Sequence, residues 1–152
     1  MSLYATLHTC PTRRPVHEMV YITRGASAQI EYPLPIYYRL SDIEQITFTF
    51  KQGKKLSGFQ VFDYTTDEEG NSSRQINSQF YHFNNDGYDV LILNLDSEDT
   101  KNFKAGRIVE YEVTLKLNTD AWETCGGNDS IIIEPQHSIE VRDSLYSYLE
   151  EN

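Results

Sequence analysis

From Val109 to Leu117 every second residue is apolar: Val109, Tyr111, Val113, Leu115 and Leu117 alternate with Glu110, Glu112, Thr114 and Lys116. Successive side chains of a pleated strand leave opposite faces, so this sustained period of two specifies a strand with one dry face and one wet face. An α-helix of the same sequence would scatter its apolar residues around its circumference. The fold must therefore supply a sheet with a second layer packed against it.

The same reading extends along the chain. Ala28, Ile30, Tyr32 and Leu34 oppose Gln29 and Glu31, and Pro33 and Pro35 restrict that strand to an edge or end it. Ile46, Phe48 and Phe50 alternate with Thr47 and Thr49, and Gln52-Gly53-Lys54-Lys55 turns the chain into a strand from Leu56 to Tyr64. Residues 65–75, TTDEEGNSSRQ, have the composition of a solvated loop, and a strand from Ile76 to Phe83 follows. Asn84-Asn85-Asp86-Gly87 tolerates positive φ and predicts a second hairpin turn into Tyr88–Leu95, where the continuously apolar Val90 to Leu93 implies cover on both faces.

Ser97 to Phe103 reads as one short connector helix, with Ser97 as cap, Glu98 and Asp99 at its positive end, and Gly106 to stop it. Ile131, Ile133, His137, Ile139 and Val141 are expected to share a face, with Pro135 making a bulge or break. Leu145, Tyr148 and Leu149 fit a last helical turn. Seven or eight short strands with hardly any helix point to an all-β fold, an antiparallel sandwich or barrel. No even barrel spacing is present, so an antiparallel β-sandwich, Ig-like or jelly-roll-like, is the expectation. Its parts are an extended N-terminal arm over 1–20, where Pro11 and Pro15 deny backbone donors, a sandwich over 21–142 and a tail over 143–152.

Thirteen Lys and Arg against twenty-three Asp and Glu give a net charge of −10, which repels polyphosphate, so no nucleic-acid partner is expected. The charge is uneven: Arg13, Arg14 and Arg24 against Glu18 make residues 1–25 basic by two charges. A basic arm on an acidic body suits docking onto an acidic neighbour, a second copy included. No apolar run is long enough to span a bilayer and the N-terminus lacks the apolar core of a secretory signal, so no membrane and a cytoplasmic site of synthesis are expected.

Residues that could carry chemistry do not form a recognisable constellation. His8 with Cys10, and Cys125 with His137, lack the short paired spacing of structural zinc. Asp67, Glu68 and Glu69, and the turn Asn84-Asn85-Asp86, could offer oxygens to calcium, but acidic surface loops are common without it. Cys125 before Gly126-Gly127 has no announced base, no GxSxG elbow is present, and no glycine-rich loop links a strand to a helix. A hydrolytic pair of carboxylates is a property of the fold and stays open as a third reading. The expectation is a protein with no catalytic residues, no metal and no cofactor. Tyr37-Tyr38, Tyr64, Tyr81, Tyr88, Trp122, Tyr146 and Tyr148 are the aromatics expected to be partly exposed, and several coplanar rings among them would make a sugar-binding face.

Ile22-Thr23-Arg24-Gly25, Leu34-Pro35, the run Ile46-Thr47-Phe48-Thr49-Phe50 with Gln52-Gly53, and Leu95 followed by Ser97-Glu98-Asp99-Thr100, Phe103 and Gly106 form a sequence of short motifs. Over roughly residues 20–145 this resembles small β-sandwich virion-associated proteins of tailed phages and prophages of gut Firmicutes. The resemblance implies a non-enzymatic structural protein of a virion (tail, neck, baseplate or capsid), made in the bacterial host cytoplasm and partnered by its own copies and other virion proteins. Arg13, Arg14 and Arg24 would meet acids on a neighbour, while Leu145, Tyr146 and Leu149 would pack apolar surface against it. The alternative is a carbohydrate-binding or host-adsorption module.

Overall fold

The structure, a computed structural model, describes residues 21–36, 38–118, 131–133 and 137–144. These residues form a sandwich of two sheets with a separate two-stranded ribbon. Strands β1 (Tyr21–Arg24), β3 (Ile43–Gln52), β4 (Lys55–Gln60), β9 (Ile108–Leu117), β10 (Ile131–Ile133) and β11 (His137–Asp143) make the larger sheet, in the order β1-β11-β9-β3-β4 with β10 also against β9. Strands β2 (Ala28–Pro33), β7 (Phe80–Asn85) and β8 (Tyr88–Leu95) make the smaller one, with β8 central. The ribbon pairs β5 (Phe62–Thr66) with β6 (Ser72–Ile76), and a short helix α1 (Ser97–Lys101) links β8 to β9.

The expected all-β sandwich is what forms, because the dry faces of the alternating strands meet. Ile46, Phe48 and Phe50 from β3, Val109 to Leu117 in alternation from β9, Ile30 and Tyr32 from β2, and Leu91, Leu93 and Leu95 from β8 are buried in one apolar cluster. Full burial of each such side chain stabilises the fold by roughly 1.5–3 kcal/mol. Phe48 joins the layers, its ring 5.8 Å from Tyr32 and 5.5 Å from Phe80. Within the larger sheet a row of rings crosses four strands: Phe59, Phe50, Tyr111 and His137 lie at successive centroid distances of 5.6, 5.5 and 5.1 Å.

Both anticipated hairpins are present. Gly53 at φ +62° turns β3 into β4, and Asp86 at +50° with Gly87 at +89° turns β7 into β8, conformations that short hairpin turns require. On β8, Val90 is buried on the face away from the core, while Ile92 beside it is half-buried, so cover on the second face is partial.

Several expectations are corrected. Leu56 to Tyr64 is two strands, because at Val61 the chain leaves β3: its N–H bonds to Ile46 O at 2.9 Å and its O accepts from Asn77 N at 2.7 Å. Residues 65–75 are the distal part of a hairpin and not a loop, since turn chemistry at Asp67 compensates for the polar sequence. Asp67 Oδ1 accepts from the N–H groups of Glu69 and Asn71 at 2.9 and 2.8 Å, its own N–H donates to Asn71 O, and Gly70 sits at φ +86°. Ile76 consequently ends β6, and the following strand starts only at Phe80.

The α1 cap is Asp96 and not Ser97: Asp96 and Asp99 side chains each accept the other's backbone N–H, a complete capping box. Tyr21–Arg24 is itself a strand, and it pairs parallel with β11, so the sandwich is not wholly antiparallel. Ile131 and Ile133 do not share the inward face of Ile139 and Val141. They are 44 % and 59 % exposed, and Ile132 between them packs on the core.

Candidate assembly and binding surfaces

Among the described residues the outer edges of β1, β4, β2 and β7 pair with no strand. An unpaired edge offers a ladder of N–H and C=O groups to another chain, and proteins normally blunt it with Lys, Pro or a bulge. Lys54 and Lys55 stand at the start of β4, and Pro33 ends β2. β7, FYHFNN, carries neither Lys nor Pro, and Tyr81 on it is 60 % exposed. The outer face of the larger sheet is mostly Thr and charged residues, as a solvated face should be, with Ile108, Ile131 and Ile133 exposed on it.

The ribbon stands outside both sheets, and Asp63 to Gln75 are exposed throughout. A lone two-stranded hairpin is marginal in water, so its base is held by specific bonds. The Gln45 amide grips Phe62 at both ends, Oε1 accepting from its N–H and Nε2 donating to its O, each at 2.9 Å. The Arg74 guanidinium lies 4.0 Å from the Phe62 ring centroid and donates to Ile43 O at 2.5 Å. The Tyr64 hydroxyl donates to Glu44 O.

Of the expected interface residues, Arg24 is placed. Its Nε donates to Phe103 O at 3.0 Å and Lys101 O at 3.3 Å, and its guanidinium is 3.8 Å from Asp143. It therefore ties β1 to the end of α1 and to β11 of its own domain. Arg13, Arg14, Leu145, Tyr146 and Leu149 lie outside the described residues, as do Tyr37, Trp122 and Tyr148 among the aromatics. Tyr38 is buried, Tyr88 is half-buried, and Tyr64 and Tyr81 are 47 % and 60 % exposed. Tyr81 and Phe83 lie 5.8 Å apart with planes inclined by 37°, so this pair is not coplanar.

One acid that no sequence motif marks is central to the smaller sheet. Asp89 occupies the inward phase of β8 and is only 7 % exposed. His82 Nε2 is 2.9 Å from its Oδ1, and Leu40 N–H donates to its Oδ2 at 3.0 Å. Burial pushes its carboxyl up, and the bonds and charge from His82 together with the Leu40 N–H more than offset that, so its pKa lies below the ordinary carboxylate value. The signal was its place one phase below Leu91, Leu93 and Leu95.

A polar groove of about 1110 Å³ opens where the start of β2, the end of β8, the turn before β7 and the start of α1 converge. Gln29, Asn77, Gln79, Asn94, Asp96 and Asp99 are among its walls. Among the described residues no group of three His, Cys, Asp or Glu is placed to hold a metal ion. No family model matches the chain, and no curated protein matches it.

Proposed function

We propose that this chain is a non-enzymatic structural protein of a tailed bacteriophage particle, built into a symmetric ring or lattice through its terminal segments and strand edges. The observation that carries the reading is the β7 edge, which is six residues long and without Lys or Pro, and which pairs with no strand among the described residues. Such an edge is suited to strand addition by a neighbouring subunit. The resemblance of its short motifs to those of small phage sandwich proteins favours the same reading. So does the charge asymmetry, in which a basic N-terminal segment would meet an acidic body through Arg13 and Arg14 while Leu145, Tyr146 and Leu149 supply apolar contact. Arg24 has its bonds within the domain and is left out of that contact set.

The test is the mass of the full chain in sedimentation across a concentration series, together with its copy number and symmetry in purified particles. A closed oligomer that dissociates on removal of residues 1–20, with the sandwich still folded, is the expected result. A chain that stays monomeric at high concentration and is absent from purified particles sinks the proposal. Normal assembly by the truncated chain removes the role of the arm.

A further inference from the structure

The groove beside α1 is walled by side-chain amides and carboxylates, and we infer that it binds a neutral pyranose oligosaccharide. This rests on the glycan alternative and not on the assembly reading, and it moves the sugar away from the tilted Tyr81 and Phe83 rings.

The side-chain amides are held in place. Gln29 and Asn94 are direct cross-strand partners on β2 and β8, and Gln29 Nε2 donates to Asn94 Oδ1 at 2.8 Å. Gln79 Nε2 donates to Asp99 Oδ2 at 3.0 Å, and Asn94 N–H donates to Gln79 O at 2.9 Å. Each amide is thereby fixed by one end. Asn94 Nδ2, Gln29 Oε1 and Gln79 Oε1 make no hydrogen bond among the described residues. Asp96 and Asp99 each commit one carboxylate oxygen to the capping box, and Asp96 Oδ2 and Asp99 Oδ1 remain as acceptors.

The available groups are mostly acceptors, with an amide donor and the hydroxyls of Ser27 and Ser78 beside them. A sugar hydroxyl donates and accepts at once, so adjacent hydroxyls of one ring can pair with a free amide group and with the one open oxygen of Asp96 or Asp99. Half-buried Ala28 gives the groove apolar atoms for the C–H face of a pyranose, while the Leu95 side chain beside it is buried in the core. A phosphorylated or carboxylated ligand offers acceptors where the groove needs donors, and it meets Asp96 and Asp99. Amides already fixed by neighbours lose little entropy on binding, while the openness of the groove limits contact, so a Kd on the order of 1 mM is expected.

The experiment is a titration of the ¹⁵N-labelled full chain with a panel of neutral trisaccharides (chitotriose, maltotriose and cellotriose) and with anionic 3′-sialyllactose, read by backbone and side-chain amide shifts. Saturable shifts at Gln29, Gln79 and Asn94 from a neutral member, none from the anionic sugar, and about tenfold weaker binding in Asn94→Ala support the site. Gln29→Ala, at an exposed position, serves the same purpose if Asn94→Ala fails to fold. Silence of the whole neutral panel at about twenty times the expected Kd overturns the inference. So do shifts confined to Tyr81 and Phe83, or unchanged binding in both variants. Oligomeric state does not enter these readouts, so the assembly proposal stands or falls separately.

Discussion

Replacing Asp89 by alanine removes a carboxylate that two parts of the smaller sheet depend on. His82 Nε2 at 2.9 Å and the Leu40 N–H at 3.0 Å both lose their acceptor, in a position only 7 % exposed. A hydrogen bond to a charged group is worth about 1.5–3 kcal/mol, and a half-buried N–H without an acceptor costs about 1–3 kcal/mol unless water reaches it. The two terms overlap, because one carboxylate serves both donors, so a loss of about 2–4 kcal/mol is expected and not their sum. For a domain of this size that lowers Tm by roughly 6–14 °C.

The pH dependence follows from the lowered Asp89 pKa. A carboxyl that ionises more readily folded than unfolded stabilises the native state at every pH above its unfolded value, near 3.8, and loses that contribution as pH falls through the folded value. Urea unfolding of wild type and Asp89→Ala at a series of pH values should therefore give a full gap at neutral pH that narrows below about pH 4. Asp89→Asn keeps an acceptor for Leu40 and should lie between the two. A neutral-pH loss below about 0.5 kcal/mol, within the range of ordinary surface substitutions, would refute the account, as would a gap that fails to narrow in acid while the wild type remains folded.

Two other perturbations test the packing. Phe48→Ala, at the ring that touches Tyr32 and Phe80 across the layers, should cost about 3–5 kcal/mol in denaturant unfolding, and a loss under about 1.5 kcal/mol would mean that Phe48 does not join the sheets. Gln45→Ala should speed amide hydrogen exchange through residues 62–76 while leaving β3 and β9 protected, because both ends of that amide brace Phe62. Uniform acceleration of the whole domain would show instead that the ribbon and sandwich open together.

The strands of the sandwich were legible because a period of two survives in sequence wherever one face is dry. β3, β8 and β9 declare themselves through Phe48, Leu91 to Leu95 and Val109 to Leu117, and the hairpin glycines mark their turns. β6 was not legible, since SSRQI has no dry face: its pairing follows from the Asp67 turn and from contacts at its base with Phe62, Ile43 and Leu40. The phase of Ile131 and Ile133 is not legible for a related reason, as a short strand of three isoleucines carries no alternation and its outward face follows from pairing with Lys116 and Thr114.

The candidate surfaces divide the same way. Polar residues such as Gln29, Gln79 and Asn94 look like ordinary solvent-facing positions until cross-strand register and the turn before β7 bring them around one groove. Asp89 announces only that a charge sits in an apolar phase, while its partners, seven residues back and forty-nine residues back, are chosen by the fold. Sequence by itself determined the all-β class, most strand faces and the acidic balance, because alternation, turn chemistry and charge are local or additive. Tertiary structure alone decided which edges stay open, where Arg24 finds its partners and which amides converge, because those depend on residues that meet only after distant strands have paired.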